Sequence, residues 1–263
     1  MKFLLINRCV IKLERLLTLF KSFLYYLNRY ETIKNALKKN NVLEIKPLYF
    51  RRWHLGCAYF LGSLNGEKVF IKIDTKLQLL KNEKVFYDIM HESLSTYVLP
   101  LHFYYEERNL QIVCFSYADG RQELNSELIL NNPSYLTEII SILKKIKMES
   151  VIHRDIKLDN FIMSGGNLNI IDFTFSYGLN GHHDSFKDLD INISDELDIL
   201  KRLGSKYKPK DFLWNDFISL KNIVNEIIAN NHLSTEQMPY FELIVQELDL
   251  LSENAYYTQT VTD

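Results

Sequence analysis

Apolar residues recur at three- and four-residue steps along the first thirty positions: Ile6, Cys9, Val10, Leu13, Leu16, Leu17, Phe20, Phe23, Leu24 and Leu27. At 3.6 residues per turn these positions share one face, so the spacing predicts an amphipathic helix. Arg8, Lys12 and Arg15 follow one another on a different face. The pattern changes from residue 42, where residues 42–75 look like strands. Asn65-Gly66, between the runs Tyr59–Leu61 and Val69–Ile73, is the dipeptide favoured by a two-residue hairpin turn. Helical spacing returns over residues 76–91. Residues 97–117 hold two or three further strand-like runs, ending at Ile112-Val113-Cys114-Phe115. Ser116–Gly120 reads as a connector. Beyond Pro133, Leu136, Ile139, Ile140, Leu143 and Ile146 share one face of a helix predicted over Ser134–Glu149. Phe161–Met163 and Leu168–Ile171 flank the turn Ser164-Gly165-Gly166-Asn167. Residues 194–263 are predicted mostly helical, with breaks at Gly204 and Pro209. The fold class is α+β: a helical extension over 1–41, a small β-rich lobe over 42–117, and a larger, mainly helical lobe over 118–263.

Composition narrows the setting. A chain of 263 residues can bury one large core or two smaller ones. With 47% hydrophobic and 24% charged residues, the balance is that of a soluble globular protein. The charge is uneven. Residues 1–40 carry nine Lys/Arg against two Glu, a local +7, so the net −2 of the chain leaves about −9 for the rest. A basic amphipathic helix has three readings: packed on its own protein, lying on an anionic membrane surface through residues 1–30, or bound to a partner protein. The early apolar run Phe3–Ile6 is broken by Asn7 and Arg8, unlike a signal peptide. No segment reaches the roughly 18–20 apolar residues of a membrane span. Cys9, Cys57 and Cys114 are sparse and form no CxxC pair, which argues against a disulfide framework or a structural zinc. The expected location is cytoplasmic, peripheral on the inner face of a membrane if the helix binds lipid. Nothing in the charge pattern calls for a nucleic-acid partner.

The chemistry is concentrated at His153-Arg154-Asp155-Ile156-Lys157-Leu158-Asp159-Asn160, which fits the pattern H-R-D-x-K-x-x-N. Phosphoryl transfer to a hydroxyl needs these residue types. A carboxylate, Asp155, orients the hydroxyl and accepts its proton. A cation, Lys157, sits near the moving phosphoryl group. An amide oxygen, Asn160, serves as a magnesium ligand. A hairpin centred near Gly166 would place Asn160 and Asp172 roughly opposite each other, with side chains about 5 Å apart. An amide and a carboxylate would then converge on one hard cation, and magnesium needs few protein ligands.

With these residues the chain resembles the protein-kinase-like superfamily, which implies a two-lobed fold with ATP and Mg2+ as cofactors. In that family Ile171-Asp172-Phe173 corresponds to the metal-binding strand end. The usual next residue is Gly, and here it is Thr174, which has less backbone freedom. The resemblance implies a lysine on the third strand, supplied by Lys72 within Val69–Ile73. A lysine in such an apolar run calls for a partner, and Glu83 lies on the apolar stripe between Leu79 and Phe86. The pair would position the α- and β-phosphates. The family's glycine-rich loop is matched only by Gly56 and Gly62, with the middle glycine missing. Ser116 and Tyr117 resemble the hinge that contacts adenine through backbone groups.

The acceptor is less marked. No Ala-Pro-Glu closes an activation segment. Asp195–Leu203, soon after the metal strand, resembles the acidic helix start of bacterial lipopolysaccharide-core kinases. That resemblance implies a glycan or lipid-glycan acceptor such as heptose or Kdo. Gly181-His182-His183-Asp184 reads as a loop. The alternative is a serine/threonine protein kinase, because Asp216-Phe217-Ile218-Ser219-Leu220 also matches the Asp-x-x-Ser-Leu helix start of that group. A non-enzymatic, nucleotide-binding pseudokinase is the third reading.

Overall fold

The computed structural model describes residues 16–17, 19–48, 53, 57–75, 79–179, 201, 203–204, 206–210, 212–253 and 256–257. The chain is mixed α+β, compatible with a two-lobed kinase-like fold. It forms two compact units. One lies within Met1–Lys84 and Pro100–Tyr117, the other within Val85–Leu99 and Ala118–Asp263.

The first unit is built on a five-stranded antiparallel sheet ordered β1-β2-β3-β5-β4. The strands are β1 Val42–Leu48, β2 Cys57–Leu64, β3 Glu67–Asp74, β4 Leu101–Glu107 and β5 Leu110–Ser116. Leu64 pairs with Glu67, leaving Asn65 (φ 53°) and Gly66 (φ 86°) as the turn. Two consecutive left-handed residues match the right-handed twist of the strands, which is why the Asn-Gly signal was decisive. Alternation then sorts the side chains of β3. Val69, Ile71 and Ile73 join Ala58, Phe60, Ile112 and Cys114 in one core, capped by Ile33, Ala36 and Leu37 of helix α1, Tyr30–Lys39. Phe70 and Lys72 lie on the opposite face of the strand.

Residues 16–17 and 19–28 are helical as expected, but their wide apolar stripe divides. Leu19 and Tyr26 pack on the sheet core, with the Tyr26 ring 5.6 Å from Trp53 and 5.2 Å from Phe60, and Ser22 is buried. Leu16, Leu17, Phe20, Leu24 and Leu27 remain 42–62% exposed.

Helix α2, Leu80–Met90, starts where the sheet ends. The buried Asp74 carboxylate at the end of β3 accepts from Leu79 N–H at 2.9 Å. Gln111, opposite Asp74 on β5, accepts from Lys81 N–H at 3.1 Å. Two of the helix's first donors are thus satisfied by the sheet, which sets the helix against β3.

The core of the second unit surrounds α4, Ser134–Met148, whose Leu136, Ile139, Ile140, Leu143 and Ile146 are all buried as the spacing predicted. Short α3, Ser126–Asn131, precedes it. Helices α5, Asp216–Asn230, and α6, Gln237–Leu251, pack with it. Asn215 caps α5 by accepting from Phe217 N–H (2.9 Å) and Ile218 N–H (3.2 Å). Helices α5 and α6 make the described part of 194–263 mostly helical as expected, and one short pair adds to it: β11, Leu213–Trp214, pairs antiparallel with β12, Tyr256–Tyr257. Strands this short carry too little periodicity to be separated from their helical neighbours. Three further short strands, β6 (Gln122–Glu123), β8 (Phe161–Ser164) and β9 (Asn167–Ile170), form a sheet, and β7 (Val151–Ile152) pairs with β10 (Tyr177–Gly178).

Candidate active site

The described site residues lie in two sets, one in each unit. In the first unit Lys72 Nζ donates to both carboxylate oxygens of Glu83, at 2.7 and 2.9 Å. The two side chains are 11% and 3% exposed. Tyr59 and Val113 flank Lys72 across the sheet. Such a buried pair is stable only with close geometry, and the two-pronged contact provides it. The register of β3, with α2 pinned by Asp74 and Gln111, is what brings the carboxylate to the ammonium.

Gly56 lies outside the described residues. Gly62 sits within β2 on the face opposite Lys72. A Cβ there would lie 2.8 Å from Val42 Cγ1 and 3.0 Å from Ile71 Cδ1. Packing gives this position a reason for glycine that is independent of the nucleotide approach expected from the loop pattern. Ser116 closes β5 and Tyr117 follows it, and their backbone N–H groups are committed: Ser116 N–H to Pro100 O (2.8 Å) and Tyr117 N–H to Lys68 O (3.0 Å). Adenine recognition through these two residues would fall to their carbonyls.

In the second unit one loop gathers the rest. After β7, His153 is buried and its N–H donates to Asp216 Oδ2 at 2.7 Å. Arg154 N–H donates to Asp216 Oδ1 at 3.2 Å. Burial pushes the Asp216 carboxyl up from its ordinary range, against the opposing pull of His153 and Arg154. One carboxylate on the first turn of α5 therefore holds the loop backbone at two points. His153 Nε2 meets the Ile171 carbonyl at 3.1 Å, and Asp155 N–H points to Nδ1 at 3.4 Å. A carbonyl only accepts, so Nε2 is the donor of its contact, and an N–H only donates, so Nδ1 is placed to accept. The ring also packs on Phe173, centroids 5.1 Å apart. His153 thus ties the loop to the strand end that carries Asp172.

Arg154 is buried with φ 68°. Its guanidinium lies 4.4 Å from the Tyr177 ring centroid and 5.4 Å from that of Trp214. Gly204 closes against the same residue, and a Cβ there would lie 2.9 Å from the Arg154 carbonyl oxygen.

Asp155 Oδ2 accepts from Lys157 Nζ at 2.7 Å and from Asn160 Nδ2 at 3.2 Å. Its other oxygen, Oδ1, accepts none of the hydrogen bonds identified among the described residues. Burial pulls the Lys157 ammonium down, but the charge and hydrogen bond of Asp155, with the charges of Asp172 and Asp159, outweigh it and leave the pKa raised. Lys157 therefore stays charged throughout the neutral range, and it lies within the field of Asp172.

Asn160 ends the 3-10 turn Leu158–Asn160 and is buried. Its amide N–H groups bond the Asp155 carbonyl (2.8 Å) and carboxylate. Both bonds use the amide nitrogen, so the side-chain oxygen takes no part in them. Phe161 pairs with Ile170, and Ile171 N–H donates to Asn160 O at 3.0 Å. The register is one residue off the expected one, so Asn160 is opposite Ile171 and not Asp172. The turn is Gly165-Gly166, both at positive φ, and centres half a residue earlier than Gly166. Asp172, next along, takes φ 70° and ψ 58°. That left-handed conformation costs an L-residue about 1–2 kcal/mol, and Asp tolerates it through local hydrogen bonding. Here Thr174 Oγ1 donates to Asp172 Oδ1 at 2.7 Å. Thr174 itself lies in the 3-10 turn Phe173–Phe175, so the glycine-like backbone falls on Asp172 and not on Thr174.

Among the described residues no group of three His, Cys, Asp or Glu could hold a metal. The donors that fit a divalent ion are the Asn160 amide oxygen and the Asp172 carboxylate, a sparse oxygen set of the kind magnesium accepts. Gly181–Asp184 and Asp195–Asp198 lie outside the described residues. Asp216, His153 and Thr174 are the residues that motif reading alone underweighted. The Asp-x-x-Ser-Leu signal pointed to the first of them.

No family model matches the chain. Over 165 residues it is 28% identical to the serine/threonine-protein kinase cot-1 of Neurospora crassa, a stretch covering 59% of this chain and 26% of the fungal protein. The chain thus matches about a quarter of that relative's length, and the similarity supports a kinase-like relationship.

Proposed function

We propose that the chain transfers the γ-phosphoryl group of ATP to an alcohol hydroxyl. The observation that carries this is the grouping of Asp155, Lys157, Asn160 and Asp172 on one loop and hairpin, anchored by Asp216. Asp155 Oδ1 would accept the hydrogen bond of the attacking hydroxyl and take its proton. Lys157 would offset charge on the transferred group. Asn160 and Asp172 would hold magnesium, which when bound supplies charge neutralisation to the phosphates. Lys72, held by Glu83, would receive the α- and β-phosphates, and the Ser116 and Tyr117 carbonyls would face adenine.

For the acceptor, a protein serine or threonine is supported by Asp216, whose Asp-x-x-Ser-Leu helix start grips the loop, and by the fungal relative. A lipid-glycan acceptor is the second reading. Its support is the exposed apolar face of residues 16–27 within a segment of charge +7, a combination suited to an anionic lipid surface. No described helix is long and apolar enough to cross a membrane. Incubating the chain with labelled ATP and separate protein and lipid-glycan fractions decides between the two. Magnesium-dependent label in protein is expected. Label confined to lipid-glycan overturns the first acceptor reading, and magnesium-dependent ATP binding with no transfer to either fraction overturns the enzyme reading.

The membrane contact is tested apart from catalysis. Sedimentation with vesicles containing anionic lipid should pull the chain down more than neutral vesicles do. Phe20→Asp/Leu24→Asp removes two apolar contacts worth roughly 1.5–3 kcal/mol each, so binding should drop more than tenfold. Equal sedimentation of the variant and the unsubstituted chain rules out this face as the lipid contact.

A further inference from the structure

The residue after the Asp172–Phe173 pair is the clearest departure of this site from its resemblance, and the structure gives the departure a use. Thr174 is buried, and its hydroxyl reaches back two residues to Asp172 Oδ1 at 2.7 Å. A glycine has no atom to make that bond. The 3-10 turn Phe173–Phe175 places the hydroxyl, and Phe173, packed on His153, fixes the turn against the catalytic loop. Asp172 holds a left-handed backbone that few L-residues other than Asn and Asp adopt. The Thr174 bond restricts rotation of its carboxylate, so the other oxygen has a fixed direction. We infer that Thr174 is a positioning residue that presets Asp172 for a divalent cation, so that the metal-binding strand end needs no separate rearrangement to become competent.

This rests on the reading of Asp172 as a metal ligand. A ligand held in its binding conformation loses less freedom on binding, and a site populated only part of the time shows an affinity reduced by that fraction. Loss of the hydroxyl should therefore appear in metal affinity first.

The test uses the full chain with ADP and Mn2+, following free Mn2+ by electron paramagnetic resonance, alongside the Mg2+ dependence of transfer. Thr174→Val keeps the branched shape and removes the hydroxyl. It should weaken Mn2+ binding in the presence of ADP about tenfold, as loss of one hydrogen bond to a charged group does. Half-saturating Mg2+ should rise by a similar factor, with kcat at saturating Mg2+ near that of the unsubstituted chain. Metal-free ADP affinity should not move. Thr174→Ser, which keeps the hydroxyl, should restore Mn2+ affinity to within about twofold. Thr174→Gly should behave like Thr174→Val and carries the test if valine impairs folding. Unchanged Mn2+ affinity in the valine and glycine variants overturns the inference, as does an equal loss in the serine variant. Asp172→Ala separates the levels: if it retains metal-dependent ADP binding, the ligand reading itself fails. If it loses that binding while Thr174→Val does not, only the positioning role fails.

Discussion

Asp155→Asn is expected to slow phosphoryl transfer by about 10²–10⁴-fold, the range for losing a positioned general base, while ATP affinity stays within a few-fold. The substitution is nearly isosteric, so the loop should keep its form. His153 and Arg154 remain bonded through their backbones to Asp216, and Asn160 still reaches the residue 155 carbonyl. What disappears is an acceptor of the hydroxyl proton and the negative partner of Lys157. Single-turnover measurement at saturating ATP reads the chemical step. Turnover within tenfold of the unsubstituted chain excludes Asp155 as the base. The pH profile adds a check. In the unsubstituted chain Lys157 has a raised pKa, to which Asp155 itself contributes, so there it cannot produce a rate change between pH 6 and 9. A change there must come from another group.

Much of this geometry was legible because it is local. The Asn65-Gly66 turn fixes which β3 residues alternate inward, and so sets Lys72 apart from Val69, Ile71 and Ile73. The face Leu136–Ile146 identifies the central helix of the second unit without any tertiary knowledge. Other features needed long-range information. The second hairpin could be placed only to within a residue, because Gly165 and Gly166 both accept a left-handed backbone. One step of register moved Asn160 from Asp172 to Ile171. Gly62 looked like half of a phosphate-covering motif, and the fold adds that its neighbours Val42 and Ile71, from other strands, would crowd a Cβ there. Ser116 and Tyr117 resembled a hinge working through backbone groups, and only the fold shows that Pro100 and Lys68 take their two N–H groups. Asp216 lies 63 residues beyond the His153 backbone that it holds. Its motif was visible, but its role depends on a chain path that spacing does not encode.

Lys72→Met is expected to destabilise the first unit by about 3–5 kcal/mol, because Glu83 is left as a buried carboxylate without its ammonium. Its side chain is 3% exposed, so water cannot replace the partner. Glu83→Leu alone should also destabilise, by removing the carboxylate that Lys72 meets at 2.7 and 2.9 Å. The double variant Lys72→Met/Glu83→Leu replaces both charges with apolar groups, and a buried pair replaced in this way often loses little or even gains stability. Most of the loss should therefore return in the double variant, measured by denaturant unfolding. Nucleotide affinity should not return with it. If Lys72 receives the phosphates, its charge-assisted contacts of about 1.5–3 kcal/mol are absent from both the lysine single variant and the double, and ATP should bind roughly tenfold to a hundredfold more weakly in each. A double variant that recovers both stability and ATP affinity would leave the pair a structural strut and remove Lys72 from the phosphate site. Recovery of stability alone would separate two jobs of the pair: Glu83 serving the fold by neutralising a buried cation, and Lys72 serving the phosphate contact proposed for it.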